Sequence, residues 1–224
     1  MRSVVQIVTP AASELLTTLS RVKGELRGVT GADEEVLKAK IAEASSDVQA
    51  AMGYRLPSED VIETFWHDDV TALPRVVHWR NQALTTLFLS RTPVSTIASV
   101  TVDDVPLDTT DFLVDPKTGT LDRFSSGFPC EWWFCKSVVV TYTGGFVLPG
   151  NPGRNLDFGI EGAVVALVAD YWASRGRDPT LMSESIPGVR DVRYWVGAVG
   201  DPELLPPRVL ASLSQFRRPM YAVA

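Results

Sequence analysis

The apolar period changes twice along this chain, and few folds accommodate that order. Residues 10–53 place apolar side chains three and four apart. Residues 54–146 break into short β-prone runs between prolines and turn pairs, and a helical period returns from Leu156. A helical body carrying a β insertion is the simplest path with this order. At 224 residues and 45% hydrophobic content, the chain can bury a sizeable core without disulfide or metal staples. The expected class is α+β: a bundle of about four helices from residues 1–56 and 154–224, with a small antiparallel β-domain inserted at 57–153.

Two helices are expected first. Thr9 as N-cap with Pro10 at the first helical position would open one. Leu15, Leu19, Val22 and Leu26 give it one apolar stripe, and Gly28 a stop. Thr30-Gly31-Ala32-Asp33 opens the second as a capping box with Asp in the acidic place. Asp33, Glu34 and Glu35 suit the positive end of its dipole. Leu37, Ile41, Ala44, Val48 and Ala51 form its buried face, and Gly53 ends it. The pair reads as an antiparallel hairpin.

In the β region, Val61 to Trp66, Leu84 to Leu89 and Ser95 to Val102 are expected strands, followed by a turn at Asp103-Asp104. Phe112-Leu113-Val114 and Thr120 to Arg123 flank the turn Asp115-Pro116-Lys117-Thr118-Gly119, where Pro116 pre-sets φ and Gly119 can take a positive φ. Val138 to Thr143 is the clearest strand. Turn counting gives roughly five to seven strands.

A Gly- and Pro-rich loop, residues 144–153, leads to a third helix from Leu156 to Arg175. Ile160, Ala163, Val164, Leu167, Val168, Tyr171 and Trp172 make its face wide enough to be central. Residues 177–202 show no period: Ser183 to Arg190 reads as loop and Val192 to Val196 as strand-like. A last helix runs from Pro206 or Pro207 to about Arg217, with Val209, Leu213 and Phe216 on one face. Pro219 stops it before the apolar segment Met220-Tyr221-Ala222-Val223-Ala224.

The residues assemble no recognisable chemistry. The net charge of −6 argues against a general nucleic-acid-binding surface. Cys130 and Cys135 lack a second pair of zinc ligands, since His67 and His78 lie more than fifty residues upstream; reduced, half-buried thiols in a cytoplasm are the plain alternative. Gly145 and Gly150 have the spacing of a phosphate loop, but Asn151 and Pro152 stand where Lys and Ser or Thr are needed. His67-Asp68-Asp69 has no nucleophile elbow nearby. Asp103, Asp104, Asp108 and Asp111 lack the calcium-loop pattern. Of Trp132, Trp133 and Phe134, strand alternation buries at least one Trp, which favours a core or interface role over stacking on bases or sugars. No catalytic, metal or cofactor residue is therefore assigned. There is no signal-like segment and no apolar run of the roughly 18 residues a membrane span needs, so synthesis in a cytoplasm is expected. Arg217 and Arg218 complement a helix dipole. The apolar segment beyond them is either disordered or docked on a partner.

Four segments in order resemble the head–tail connector, or adaptor, proteins of tailed bacteriophages. They are the helical pair ending in Ala50-Ala51-Met52-Gly53-Tyr54-Arg55-Leu56; the run Leu87 to Val100 with its Thr92-Pro93-Val94 turn; Thr118-Gly119-Thr120-Leu121 with Val138 to Phe146 and Pro149; and the helix ending in Tyr171-Trp172-Ala173-Ser174-Arg175. The long Arg55 to Trp79 stretch and the extended C-terminus depart from the family's pattern.

The resemblance implies a virion protein of the neck, made in the host bacterial cytoplasm. It would form a ring of copies, usually twelve, below the portal, extending the DNA channel and joining the capsid to the next neck protein or the tail. The implied partners are the portal, a neck stopper or tail-completion protein, further copies of itself, and genomic DNA sliding past an acidic wall without specific binding. The family's C-terminal segment often grips the portal, which points here to Phe216, Arg217, Arg218, Pro219, Met220 and Tyr221. The alternative within the same class is a tail-completion or other neck structural protein. An enzyme such as a hydrolase would need His67, Asp68 and a Ser or Cys to meet in the fold.

Overall fold

The computed structural model describes residues 2–66, 86–130, 132, 136–175, 183–186, 190–193 and 205–216. It divides into a β unit, residues 1–12 and 55–146, and a helical unit, residues 13–54 and 147–224. The class is α+β, with four α-helices and antiparallel sheets among the described residues.

Among the described residues, the β unit holds nine strands in two sheets. They are β1 (Arg2–Thr9), β2 (Glu59–Trp66), β3 (Thr86–Phe88), β4 (Val94–Val102), β5 (Val105–Pro106), β6 (Phe112–Asp115), β7 (Thr120–Ser125), β8 (Phe128–Cys130) and β9 (Ser137–Gly144). The first sheet runs β1-β2-β9-β4-β5; the second runs β3-β7-β6, with β8 also on β7. Alternation decides which faces meet. In β9, Val138, Val140, Tyr142 and Gly144 are buried while their neighbours are half-exposed. Leu87 pairs with Leu121, and Leu121 with Val114, so three apolar residues of the second sheet share a face. Val61, Phe65, Val100, Val138 and Val140 join Leu87, Leu121 and Trp132 in one core.

The expected turns are present. Gly119 has φ +71°, and a Cβ there would lie 2.3 Å from Thr92 Cγ2. Asp115 accepts from Lys117 N–H (3.0 Å) and the Thr118 hydroxyl (2.7 Å). Asp103 and Asp104 both have positive φ, and Asp103 Oδ1 accepts from the backbone N–H groups of Lys136 (2.7 Å) and Ser137 (2.9 Å). That shared acceptor fixes the β4–β5 corner against the start of β9.

The helical unit contains α1 (Leu19–Glu25), α2 (Glu34–Met52), α3 (Phe158–Ala173) and α4 (Pro207–Leu213), plus a hairpin of β10 (Ser183–Ile186) and β11 (Arg190–Arg193). Helix α3 is central and packs on α1, α2 and α4. Ile160, Ala163, Val164, Val165, Leu167 and Val168 are buried on it. Helix α2 keeps the expected ends. Asp33 Oδ2 accepts from the Thr30 N–H (3.0 Å) and hydroxyl (2.7 Å). Gly53 adopts φ +74° and donates to Gln49 O and Ala50 O.

Three expectations are corrected. Thr9 does not cap a helix: it ends β1, and residues 1–12 lie in the β unit. The β-branched run Val4-Val5-Gln6-Ile7-Val8 pairs with β2 along its length. Helix α1 starts nine residues later than expected, with Thr18 as its cap accepting from Arg21 N–H (3.2 Å). Leu16 and Val22 are buried there, while Leu15 is exposed. Ser183 to Ile186, read as loop, is a strand paired with Arg190–Arg193. The β unit also exceeds the expected strand number, because β1, β5 and β8 carry no alternation long enough to read.

Candidate partner-binding site

Of the six residues expected to grip a partner, Phe216 is described and Arg217, Arg218, Pro219, Met220 and Tyr221 lie outside the described residues. Phe216 ends a 3₁₀ turn, Ser214–Phe216, that continues α4. It is half-buried on its own helical unit. Its carbonyl accepts from Tyr54 O–H (3.1 Å). Its ring covers Gly159 so closely that a Cβ there would lie 2.8 Å from Cζ. Val209 and Leu213, the other two residues of the expected apolar face, are buried as well. Arg208 pairs with Asp170 on α3. Phe216 is therefore held on its own helical unit by both its backbone and its ring.

The start of α3 is held by a second polar cluster. Asp157 caps it, accepting from Gly159 N–H (2.7 Å). Glu161 is buried and accepts from Thr17 O–H (3.1 Å) and pairs with Arg154 (2.6 Å). The Arg154 guanidinium also lies 4.0 Å from the Phe158 ring centroid. Phe158 itself is 76% exposed.

The β unit contains a buried polar network that sequence reasoning missed. Strand β2 points Glu59, Val61, Glu63 and Phe65 to one buried side. Glu63 has no exposed surface and accepts from Ser90 N–H (2.9 Å), the Ser90 hydroxyl and Tyr142 O–H (2.8 Å). Tyr142 O in turn accepts from Arg91 N–H (3.0 Å). Glu59 receives Arg91 Nε (2.9 Å) and Arg55 Nη2 (3.1 Å). Burial, reinforced by the Glu63 charge, pushes the Tyr142 phenol well above its ordinary value, so it stays a donor. Every hydroxyl near Glu63 is thus spent on holding it. The arrangement clamps Ser90 and Arg91 to the sheet rather than activating a nucleophile. The available signal was Glu at two of four inward positions of an alternating strand.

The other candidates separate. His67, Asp68, Asp69, His78, Trp133, Phe134 and Cys135 lie outside the described residues. Cys130 is a free thiol, half-buried in β8. Trp132 is fully buried and donates from Nε1 to Leu121 O (3.3 Å), the core role expected for one of the paired tryptophans. Among the described residues no three His, Cys, Asp or Glu side chains converge as a metal site, and no helix is long and apolar enough to cross a membrane.

No protein-family model matches the sequence, and no curated protein does. Solved structures do match the fold. A chain in the neck of an empty gene transfer agent particle, computed with sixfold symmetry, superposes with a TM-score of 0.56 over 99% of this chain and 98% of that one, at 17% identity. This chain shares the fold of that neck chain. Chains in the native gene transfer agent virion (TM-score 0.48, 16% identity, 82% of this chain and 89% of that chain) and in the native neck computed with twelvefold symmetry (TM-score 0.46, 16% identity, 82% and 88%) are also similar. The full-length match takes in both the helical unit and the β unit, so the two belong to one known architecture.

Proposed function

We propose that this chain is a structural head–tail connector, an adaptor of the virion neck with no catalytic role. Copies form a ring below the portal, extend the DNA channel and join the capsid to the next neck protein or the tail. The observation that carries this reading is the end-to-end fold match with a neck chain. The order of segments that resembles the adaptor family supports it independently. The sixfold symmetry of the similar neck fits a ring of twelve. A net charge of −6 suits a wall past which DNA slides without sticking.

Within this role, residues 217–221 form the portal-binding segment, and Phe216 is its root on the helical unit. The test is co-assembly with the portal of the same phage, comparing the full chain with one ending at Phe216. Loss of portal binding on truncation supports the adaptor role and the placement of the grip. Equal binding by both forms moves the grip elsewhere on the chain. Binding to a tail-side neck protein but not to the portal by either form favours a tail-completion subunit instead.

A further inference from the structure

Two β elements stand out among the described residues: a long edge strand and a separate two-stranded ribbon. Strand β1 pairs with β2 over its whole length and, among the described residues, with nothing on its outer edge. Exposed edges are normally guarded by charge, proline or bulges. Strand β1 has Arg2 at its start and one irregularity near its end, between Ile7 and Thr9, with no carboxylate, lysine or proline. Val4, Ile7 and Val8 are 46%, 44% and 55% exposed.

The opposite edge of the same sheet is closed by the chain itself. Strand β5 pairs with Thr101 and Val102, Leu107 N–H donates to Val100 O (2.9 Å), and Val94 N–H donates to Pro116 O (2.8 Å). Strand β4 is bulged at two further places. In the second sheet β3, β6 and β8 also pair on one side alone among the described residues, but they are short, with Asp115 in β6 and Pro129 in β8, so β1 is the long unguarded edge.

The second element is the β10–β11 hairpin. Its four paired positions join no third strand among the described residues. A two-stranded ribbon is marginal in water, and a third strand is the usual remedy.

We propose that the hairpin of one copy adds to β1 of the next copy, with β10 as the strand that pairs. The inference rests on the reading that copies of this chain form a ring. A second copy is the fitting occupant because the chain carries both halves of the junction, one on each unit, so every copy gives a hairpin and receives one. That is the heterologous interface a ring requires; pairing β1 with β1 would give a closed two-fold dimer and stop. Charge selects β10 over β11. Strand β1 contains one arginine and no acid, β10 contains Glu184 and no cation, and β11 contains Arg190, Asp191 and Arg193, a net positive strand.

The test is sedimentation of the full-length chain and two variants. Val4→Lys with Val8→Lys places charge on exposed positions of β1; Ser185→Pro interrupts β10. The wild type should assemble into large rings and each variant alone should stay monomeric. Mixed in equal amounts, the variants should form one heterodimer and nothing larger, because each retains the half that the other has lost. Rings from the Ser185→Pro chain, a mixture without heterodimer, or a wild type that stays monomeric to its solubility limit would each overturn the junction. The failures are distinguishable: a chain that assembles this way but binds no portal keeps the junction and loses the adaptor role. A chain that binds portal and still forms rings with Ser185→Pro does the reverse.

Discussion

Glu63 is a carboxylate with no exposed surface, and its donors define what it does. Ser90 supplies two of them and Tyr142 the third, so a single side chain on β2 holds Ser90 directly and Arg91 through Tyr142. Tyr142→Phe keeps the ring but leaves the Arg91 N–H without its acceptor and Glu63 short of a donor. It should cost about 1–3 kcal/mol, read from urea unfolding. Asp33 gives a pH-dependent counterpart. Its hydrogen bonds from Thr30, helped by Arg175, hold its carboxyl at about 2, below the ordinary 3.8. A depressed carboxyl stabilises the fold above its unfolded pKa and loses that effect as pH falls through its folded one. The melting difference between wild type and Asp33→Asn should stay constant from neutral pH to about pH 5, narrow below about pH 4 and vanish near pH 2. High salt should shrink the Arg175 part of it, because that arginine is largely exposed.

At the scale of elements, two glycines with positive φ separate conformation from crowding. Gly53 ends α2 at φ +74° with open space around the missing Cβ, so Gly53→Ala should cost about 1 kcal/mol. Gly145 sits at φ +112° with Pro57 O only 2.3 Å from where a Cβ would stand, so Gly145→Ala should cost well over about 1 kcal/mol. Parallel thermal melts would check the ranking, and equal shifts would contradict it. Helix α2 was readable in the sequence because both its ends are made by residues inside one local stretch, Thr30 to Asp33 and Gly53. The same holds for the turn at Asp115 to Gly119. Strand β1 was not readable, because its strand state comes from β2, which lies about fifty residues away in sequence. Thr9-Pro10 imitates a helix start locally, and non-local pairing overrides it. The Glu59–Glu63 network was hidden for a similar reason. Alternation announced the inward positions, but the donors that make glutamate tolerable there come from Arg55, residues 90–91 and Tyr142.

For the whole molecule, the decisive feature is that one chain carries a helical unit and a β unit, each built from two separated stretches of sequence. The expected portal grip was legible only as an unexplained apolar segment after Pro219. Phe216, the one expected grip residue among the described residues, is held against Gly159 and Tyr54. Truncation after Phe216 should therefore leave the melting temperature of the chain unchanged while abolishing capture by portal. A fall in both would mean that residues 217–224 belong to the body.

The interleaving of the two units also governs how the chain comes off the ribosome. Strand β1 is synthesised before the helices α1 and α2, yet its sheet partner β2 follows them and β9 comes later still, while α2 must wait for α3. Neither unit can close as a separate early product of translation. The β unit stays open until β9 has emerged and the helical unit until α3 and α4 have followed, so the first-made residues wait longest for their partners and the helical core is the last to close.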